Sequence, residues 1–104
     1  MIPKFNLGDF QSEINDWINS HGGYWPPLSM LGALMEEVGE IARAVNIIEG
    51  FKPPKENEKP RLSEEIADTV FAIICIANYY KIDLSQELKK SLIKYSKRDS
   101  DRFK

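Results

Sequence analysis

The spacing of apolar residues in the middle of the chain constrains its fold most strongly. From Leu28 to Ile48 apolar residues recur every third or fourth position, which is the period of one face of an α-helix. A second segment, from Ile66 to Tyr80, is apolar on nearly every side, which is typical of a buried helix. We find no convincing alternation of apolar and polar residues that would indicate a strand. The sequence therefore predicts an all-α protein.

The ends of the helices are indicated by glycine, proline and capping residues. A glycine pair ends a first amphipathic helix, and a proline pair begins the long second one. A connection at 51–60 with three prolines precedes the third helix, for which Ser63 is a candidate N-cap. Asp83 and Gln86 have the spacing of a capping box before a fourth helix. We predict a four-helix bundle-like fold with helices at about 7–20, 27–49, 62–80 and 83–98.

Size and composition limit the classes of protein to which the chain can belong. Its 104 residues are enough for a single domain over 1–104 with a real core. A net charge of −2 argues against a general binder of nucleic acid or of a membrane surface. The single cysteine, Cys75, excludes an internal disulfide and a Cys-rich zinc site, which fits a cytoplasmic protein. We expect no signal peptide, and the longest apolar run, 69–77, is shorter than the ~20 residues of a membrane helix.

Five acidic residues interrupt the apolar pattern of the two central helices. Glu36, Glu37 and Glu40 belong to the second helix, and Glu65 and Asp68 belong to the third. Because residues three or four apart share one face of a helix, each cluster can direct several oxygens at one point. Carboxylates at such short distances repel one another. An ionised carboxylate that is removed from water also needs a charged partner or a metal. The two clusters together would suit a hard divalent cation, Mg²⁺ or alternatively Mn²⁺.

Two other interpretations of the acidic clusters stay open. The acids could be surface partners of salt bridges on a non-catalytic helical interaction module. Glu65 also lies in the first turn of its helix, where the helix dipole favours an acid whatever the function. A di-metal carboxylate bundle of the ferritin-like type is the second alternative, but that class uses Glu-x-x-His pairs. The one histidine, His21, is remote from the acids in sequence and is expected to cap a helix C-terminus. Dispersed or solvent-facing carboxylates would contradict the metal hypothesis.

Short motifs around the acids carry a resemblance to a known family. They are LMEEVGEIA at 34–42, EEIADTVF at 64–71, Asn78, and IDL at 82–84. These motifs resemble those of the MazG-like nucleotide pyrophosphohydrolases, part of the all-α NTP pyrophosphatase superfamily, and the similarity extends from about Leu28 to Arg98. The resemblance implies Mg²⁺-dependent hydrolysis of (deoxy)nucleoside triphosphates between the α and β phosphates, giving a monophosphate and pyrophosphate. It also implies a housekeeping role in the nucleotide pool.

The resemblance assigns roles to individual charged residues. All five acids would bind the metal, or alternatively Glu36 or Glu37 would orient the attacking water instead. Positive side chains should hold the outer phosphates, and Lys94 and Arg98 share a face of the fourth helix close to Lys97. The alternative for these three residues is a solvated basic helix end that complements the helix dipole.

Aromatic residues in and after the first helix are candidates for contact with the base or sugar, as relatives use this region to line the nucleotide pocket. Phe10 and Trp17 follow the apolar period of the first helix, so we expect them to pack in the core. Tyr24 and Trp25 lie between glycines and prolines, outside any periodic pattern, where binding is more natural. Asn78 is suited equally to a base or sugar contact and to hydrogen bonding of buried backbone.

The length of the chain favours self-association. One copy is too short to enclose its own substrate, and the third helix has more apolar surface than three short neighbours can cover. We therefore expect a homodimer or homotetramer with the nucleotide pocket near a subunit interface. No membrane and no specific nucleic acid is expected as a partner. The preferred base and sugar cannot be read from the sequence.

Overall fold

Four α-helices make up most of the computed structural model, which describes residues 6–99. They are α1 (Leu7–Ser20), α2 (Pro27–Ile48), α3 (Leu62–Tyr79) and α4 (Leu84–Asp99). No strand occurs in the described range, and none of its helices has the length and apolar character needed to cross a membrane. The predicted all-α fold is confirmed, and each predicted helix end lies within one residue of the observed one.

Local hydrogen bonds explain where α1 begins and ends and where α4 begins. The Asn6 side chain accepts a hydrogen bond from the Asp9 backbone N–H at 2.8 Å, and the Asp9 carboxylate accepts one from the Asn6 N–H at 3.1 Å. This is a capping box. At the other end, the backbone N–H of His21 donates to the Ile18 carbonyl, as expected for a C-terminal cap. The predicted N-cap Asp83 accepts from the backbone N–H three residues later.

The start of α3 differs from the prediction that Ser63 caps it. The first helical residue is Leu62, and Arg61 occupies the N-cap position without a side-chain capping bond. The Arg61 carbonyl already accepts from the backbone N–H of Glu65, which closes the first turn one residue earlier than predicted. Ser63 is therefore inside the helix, and its predicted role as N-cap is wrong.

The third helix is the centre of the packing. It lies along α2 and also contacts α1, whereas α4 packs mainly against α1. The hydroxyl of buried Thr69 donates to the Glu65 carbonyl at 2.7 Å, which satisfies the one buried polar side chain of the described part. The buried apolar residues are Met30, Ala44, Ile74, Cys75 and Ala77.

Broad apolar faces of α3 and α4 are not covered by the rest of the chain. On α3, Ile66 and Val70 are 47% and 44% exposed, although the apolar pattern of this helix predicts full burial. On α4, Leu88, Leu92 and Ile93 are more exposed still. Exposed apolar area of this extent indicates a contact surface, and it agrees with the expectation that three neighbours cannot cover α3.

Gln11 and Asn78 tie α1 to the turn between α3 and α4. The Gln11 amide nitrogen donates to the Asn78 side-chain oxygen at 3.0 Å and to the Ile82 carbonyl at 2.8 Å. In return, Asn78 donates to the Gln11 carbonyl at 2.9 Å, and the Leu84 N–H donates to the Gln11 side-chain oxygen at 3.0 Å. These four bonds fix the position of α1 relative to the C-terminal end of α3.

A single ion pair holds the connection between α2 and α3 against α2. Arg43 donates to both carboxylate oxygens of Glu58, from Nη2 at 2.6 Å and from Nε at 2.9 Å. The backbone N–H of Lys55 donates to the same carboxylate at 2.8 Å. The hydrogen bonds from Arg43, followed by that from Lys55, lower the pKa of Glu58 to about 2.

Candidate functional site

Three carboxylates meet where α2 packs along α3. Oxygen atoms of Glu37, Glu65 and Asp68, which we call the acidic triad, lie within 4.8 Å of one another. Glu37 comes from α2, and the three-residue spacing of the other two places them on one face of α3. Glu37 and Glu65 are half-buried, whereas Asp68 is exposed. The structure thus brings together three of the five acids predicted as metal ligands.

The two remaining acids of α2 lie differently with respect to the triad. Glu40 follows Glu37 by three residues, and its charge acts on Glu65 strongly enough to contribute to the pKa of that carboxyl. Glu36 and Glu40 are both exposed and outside the triad, but Glu36 is not among the charges that act on Glu65. Adjacent residues of a helix point about 100° apart, so Glu36 and Glu37 leave α2 in different directions. The pair of α2 that faces α3 is therefore Glu37 with Glu40.

The electrostatics of the triad favour a bound cation. Burial raises the pKa of Glu65, and the charges of Glu37, Glu40 and Asp68 raise it further. None of the ion pairs formed within residues 6–99 involves these four acids. Two ligand oxygens of one Mg²⁺ lie at most about 4.2 Å apart, given Mg–O distances of about 2.1 Å. Movements of less than about 1 Å would bring the triad within that limit, so the residues fit the ion.

This grouping bears on the two alternatives for the acidic clusters. An interaction module with acids as scattered salt-bridge partners does not predict three carboxylates converging from two helices. The ferritin-like alternative needs histidine beside the acids, and His21 is not a member of the triad.

A cleft of about 460 Å³ adjoins the triad and is walled largely by apolar and aromatic side chains. Glu37 and Asp68 are part of its lining, so the triad and the cleft form one continuous site. The aromatic lining residues, which define what we call the aromatic cleft, are Trp17, His21, Tyr24, Trp25 and Phe71. A cleft of this size and character, with a few convergent charged groups, is typical of a small-molecule site.

The first helix contributes the indole of Trp17 to this wall. Trp17 is 53% exposed, so the expectation that it packs in the core does not hold for a single copy. His21 stacks on it with ring centroids 4.2 Å apart, and Phe71 meets it edge-on at 6.2 Å. Phe10, also predicted to be a core residue, is 44% exposed and does not line the cleft.

The segment after α1 places two further aromatic rings at the cleft. The Tyr24 hydroxyl donates to the Asn15 side chain at 2.6 Å, and partial burial is the main cause of the raised pKa of this tyrosine. Trp25 is 64% exposed at the edge of the cleft. Asn78, the remaining candidate for base or sugar contact, does not line the cleft, since its amide bonds to Gln11.

Two of the aromatic lining residues are not identified as binding residues by the sequence. Phe71 follows Asp68 by three residues, so its place on the same face of α3 could have been predicted from helical spacing. His21 was interpreted only as a helix cap, and no sequence pattern indicates that its ring also stacks on Trp17.

The predicted phosphate-binding cations of α4 are not part of the cleft within one copy. Lys94 and Arg98 both lie over the ring of Tyr95, at 4.8 and 4.7 Å from its centroid. Arg98 also pairs with Asp99 at 2.8 Å. Lys97, like the other two, is exposed. A single chain thus supplies the acidic and aromatic parts of the site but not these cations.

Comparison with known proteins gives consistent matches over nearly the whole chain. Residues 26–103 match the family model of the MazG nucleotide pyrophosphohydrolase domain. The uncharacterized protein YpjD of Bacillus subtilis (strain 168) is 39% identical over 99 residues, which cover 93% of this chain and 89% of that protein. The uncharacterized protein YvdC of the same strain is 38% identical over 100 residues, which cover 88% and 94%.

Two solved structures are similar in fold as well as in sequence. One is that of the putative pyrophosphatase YpjD from Bacillus subtilis, with a TM-score of 0.79 and 35% identity over 90% of this chain and 98% of that one. The other is that of the Bacillus-conserved MazG protein, described as a nucleotide pyrophosphohydrolase. Its TM-score is 0.78, with 35% identity over 96% of this chain and 99% of that one.

Proposed function

The chain belongs to the MazG nucleotide pyrophosphohydrolase family, and we propose that it hydrolyses (deoxy)nucleoside triphosphates with Mg²⁺ between the α and β phosphates. The products are a nucleoside monophosphate and pyrophosphate. The observation that carries this proposal is the convergence of Glu37, Glu65 and Asp68 next to an aromatic cleft that two of them help to line. A nucleoside triphosphate has the matching chemistry, since its phosphates need a cation and its base has two apolar faces.

The residues that would hold the ion are those of the acidic triad, with Glu40 beside them. When bound, Mg²⁺ neutralises phosphate oxygens and makes water more acidic. A donor set of carboxylate oxygens alone suits Mg²⁺ or Mn²⁺ rather than zinc, which favours nitrogen and sulfur ligands.

A carboxylate outside the triad remains to orient the attacking water. Such a group accepts a hydrogen bond from the water and directs its lone pair toward phosphorus. Glu36 neighbours Glu37 along α2 and, unlike Glu40, is not among the charges that act on Glu65, so we assign the orienting role to it, with Glu37 as the alternative.

The aromatic cleft would hold the base and part of the sugar. Stacking of a base on an aromatic side chain contributes about 1–3 kcal/mol and tolerates every base, because each has two π faces. Trp17, Tyr24 and Trp25 offer such rings next to the acids. This combination of charged groups and stacking surfaces in one site suits an enzyme that clears triphosphates from the cytoplasmic nucleotide pool.

We propose that a second copy completes the site. The uncovered apolar faces of α3 and α4 need a partner, and the α4 cations lie outside the cleft of their own chain. A homodimer or homotetramer that buries those faces would bring Lys94, Lys97 and Arg98 of one copy to the phosphates held by another.

A panel of canonical and modified triphosphates tests the proposed activity. The purified protein is incubated with each of them, with and without Mg²⁺, and the phosphorus-containing products are separated. We expect monophosphate and pyrophosphate, and only when Mg²⁺ is present. Absence of turnover across the panel would contradict the enzyme assignment, whereas release of orthophosphate would contradict the position of cleavage.

A further inference from the structure

His21 has its imidazole ring fixed in the wall of the aromatic cleft. The backbone N–H of His21 caps α1 by donating to the Ile18 carbonyl at 3.0 Å. Its ring lies on the Trp17 indole with an interplanar angle of 23°, and both rings line the cleft. Backbone and ring contacts together hold the side chain in one orientation.

The hydrogen bonds of the ring determine its neutral tautomer. The Nδ1 atom of His21 lies 2.7 Å from the Trp17 carbonyl oxygen, which can only accept, so Nδ1 carries the hydrogen. Ser20 is consistent with this. Its hydroxyl donates to the same carbonyl at 2.8 Å and therefore presents a lone pair to Nδ1, 2.9 Å away. The neutral ring consequently has its lone pair on Nε2.

The Nε2 atom is an acceptor without a partner in the part of the chain that the structure describes. The hydrogen bonds of His21 in that part run through its backbone and Nδ1. Among the other side chains of this part of the cleft, the Tyr24 hydroxyl donates to Asn15, Cys75 is buried, and the indole N–H groups of Trp17 and Trp25 can only donate. Nε2 is thus the ring acceptor that this part of the cleft offers to a ligand.

We propose that His21 selects the base of the substrate by accepting a hydrogen bond at Nε2 from an exocyclic amino group. This inference rests on the proposed function, since it takes the aromatic cleft to be the site of the base. Cytosine and adenine carry such an amino group. Uracil and hypoxanthine carry a carbonyl oxygen at the same position. Because this oxygen and Nε2 are both acceptors, no hydrogen bond would form between them. One such hydrogen bond corresponds to a preference of about three- to ten-fold.

Steady-state kinetics with two matched substrate pairs test the selection. We expect kcat/KM for dATP to exceed that for dITP, and kcat/KM for dCTP to exceed that for dUTP, each by about three- to ten-fold. His21→Phe retains an aromatic ring on Trp17 but removes both nitrogens, so both ratios should fall to near one. Asn19→Ala is the matched control, because Asn19 is exposed on the same turn of α1 and does not line the cleft. This variant should keep the wild-type ratios.

Two results would overturn the role of His21: equal kcat/KM within both pairs for the unmodified protein, or ratios unchanged in His21→Phe. The first comparison needs no variant, so a misfolded His21→Phe would still leave the inference testable. Binding of non-hydrolysable α,β-methylene analogues of dATP and dITP, followed by tryptophan fluorescence, separates this inference from the proposed function. If the protein hydrolysed no triphosphate but bound the dATP analogue more tightly than the dITP analogue, the selection by His21 would be supported and only the proposed activity would be contradicted. Equal binding of the two analogues would contradict the selection.

Discussion

Glu65 is a half-buried acid with three other carboxylates close to it. Its half-buried carboxyl faces Glu37, Glu40 and Asp68, and burial and these charges together raise its pKa. Without a metal, such a carboxylate opposes folding, whereas under the proposed function a bound divalent cation would turn the same repulsion into ligation. This side chain would then have opposite effects on stability and on activity.

Replacing Glu65 with glutamine should separate these two effects. Loss of a charged ligand should lower Mg²⁺-dependent turnover by more than about 100-fold, because the metal contributes several kcal/mol to charge stabilisation. In EDTA the same variant should melt at a temperature no lower than the unmodified protein, since a repelled charge is removed. Glu64→Gln is the control, because Glu64 is exposed and pairs with Arg61. Near-normal turnover of Glu65→Gln would show that the ligand assignment is wrong.

Glu36 and Glu37 should have separable kinetic roles. Glu37→Gln removes a member of the acidic triad, so the Mg²⁺ concentration needed for half-maximal rate should rise by roughly 10- to 100-fold. Glu36→Gln should leave that concentration unchanged and lower kcat by roughly 100-fold, as expected for a group that only orients water. Titration of the rate with Mg²⁺ distinguishes the two. Equal effects of both variants on the Mg²⁺ requirement would contradict the division of roles.

At the scale of helices, the sequence predicts which helices form and where they end better than it predicts how each helix is rotated about its own axis. Helix ends are local, since the glycine and proline pairs and the cap at Asp83 act within a few residues, and they were predicted to within one residue. Whether Glu36 or Glu37 points toward α3 depends on the rotation of α2 about its axis. The packing of the whole chain decides that rotation. The exposure of Trp17 likewise depends on how α1 docks, and Gln11 fixes that docking by bonds to residues far along the chain.

The connection between α2 and α3 should be held by the Arg43–Glu58 pair in a pH-dependent way. The folded-state pKa of Glu58 is about 2, below its ordinary value of 4.5, so the charged form stabilises the fold. That contribution is complete above about pH 4.5 and is lost as the pH falls toward 2. Glu58→Ala should therefore be less stable than the unmodified protein at pH 7 in urea unfolding, and this difference should shrink at low pH.

Proteolysis gives a second measure of the same pair. Without Glu58, the connection loses its two bonds to Arg43 and the one from Lys55, so trypsin should cleave after Lys55 faster at pH 7. Glu49→Ala, an exposed acid of the same connection that does not adjoin the Lys55 bond, serves as the control and should leave the cleavage rate unchanged. If the two variants were cleaved equally fast, the ion pair would not be what holds the segment.

On the scale of the whole molecule, one copy has uncovered apolar surface and a cleft that the cations of α4 do not line. The uncovered faces belong to α3 and α4, and α4 also carries the cations that are missing from the cleft. The proposed assembly of identical copies would account for both observations through one contact. It would also explain why the apolar pattern of α3, which predicts burial on all sides, is only partly satisfied by the described chain.

Complementation between inactive copies tests whether the site is shared. Glu65→Gln should be inactive because it lacks one of the acids of the site. The double variant Lys94→Ala, Arg98→Ala should be impaired because it lacks two of the cations. If the cations act on a neighbouring copy, a mixed assembly contains one site with intact acids from one chain and intact cations from the other. Activity should therefore appear after the two variants are unfolded together and refolded. A mixture no more active than its components would place the acids and cations of each site in the same chain.

The products of a single triphosphate test the central claim most directly. The unmodified protein is incubated with dATP in Mg²⁺ or in EDTA, and ³¹P NMR follows all phosphorus resonances. The proposed function predicts dAMP and pyrophosphate in equal amounts with Mg²⁺, and unchanged dATP with EDTA. Appearance of dADP and orthophosphate, or equal rates of hydrolysis in Mg²⁺ and EDTA, would contradict it.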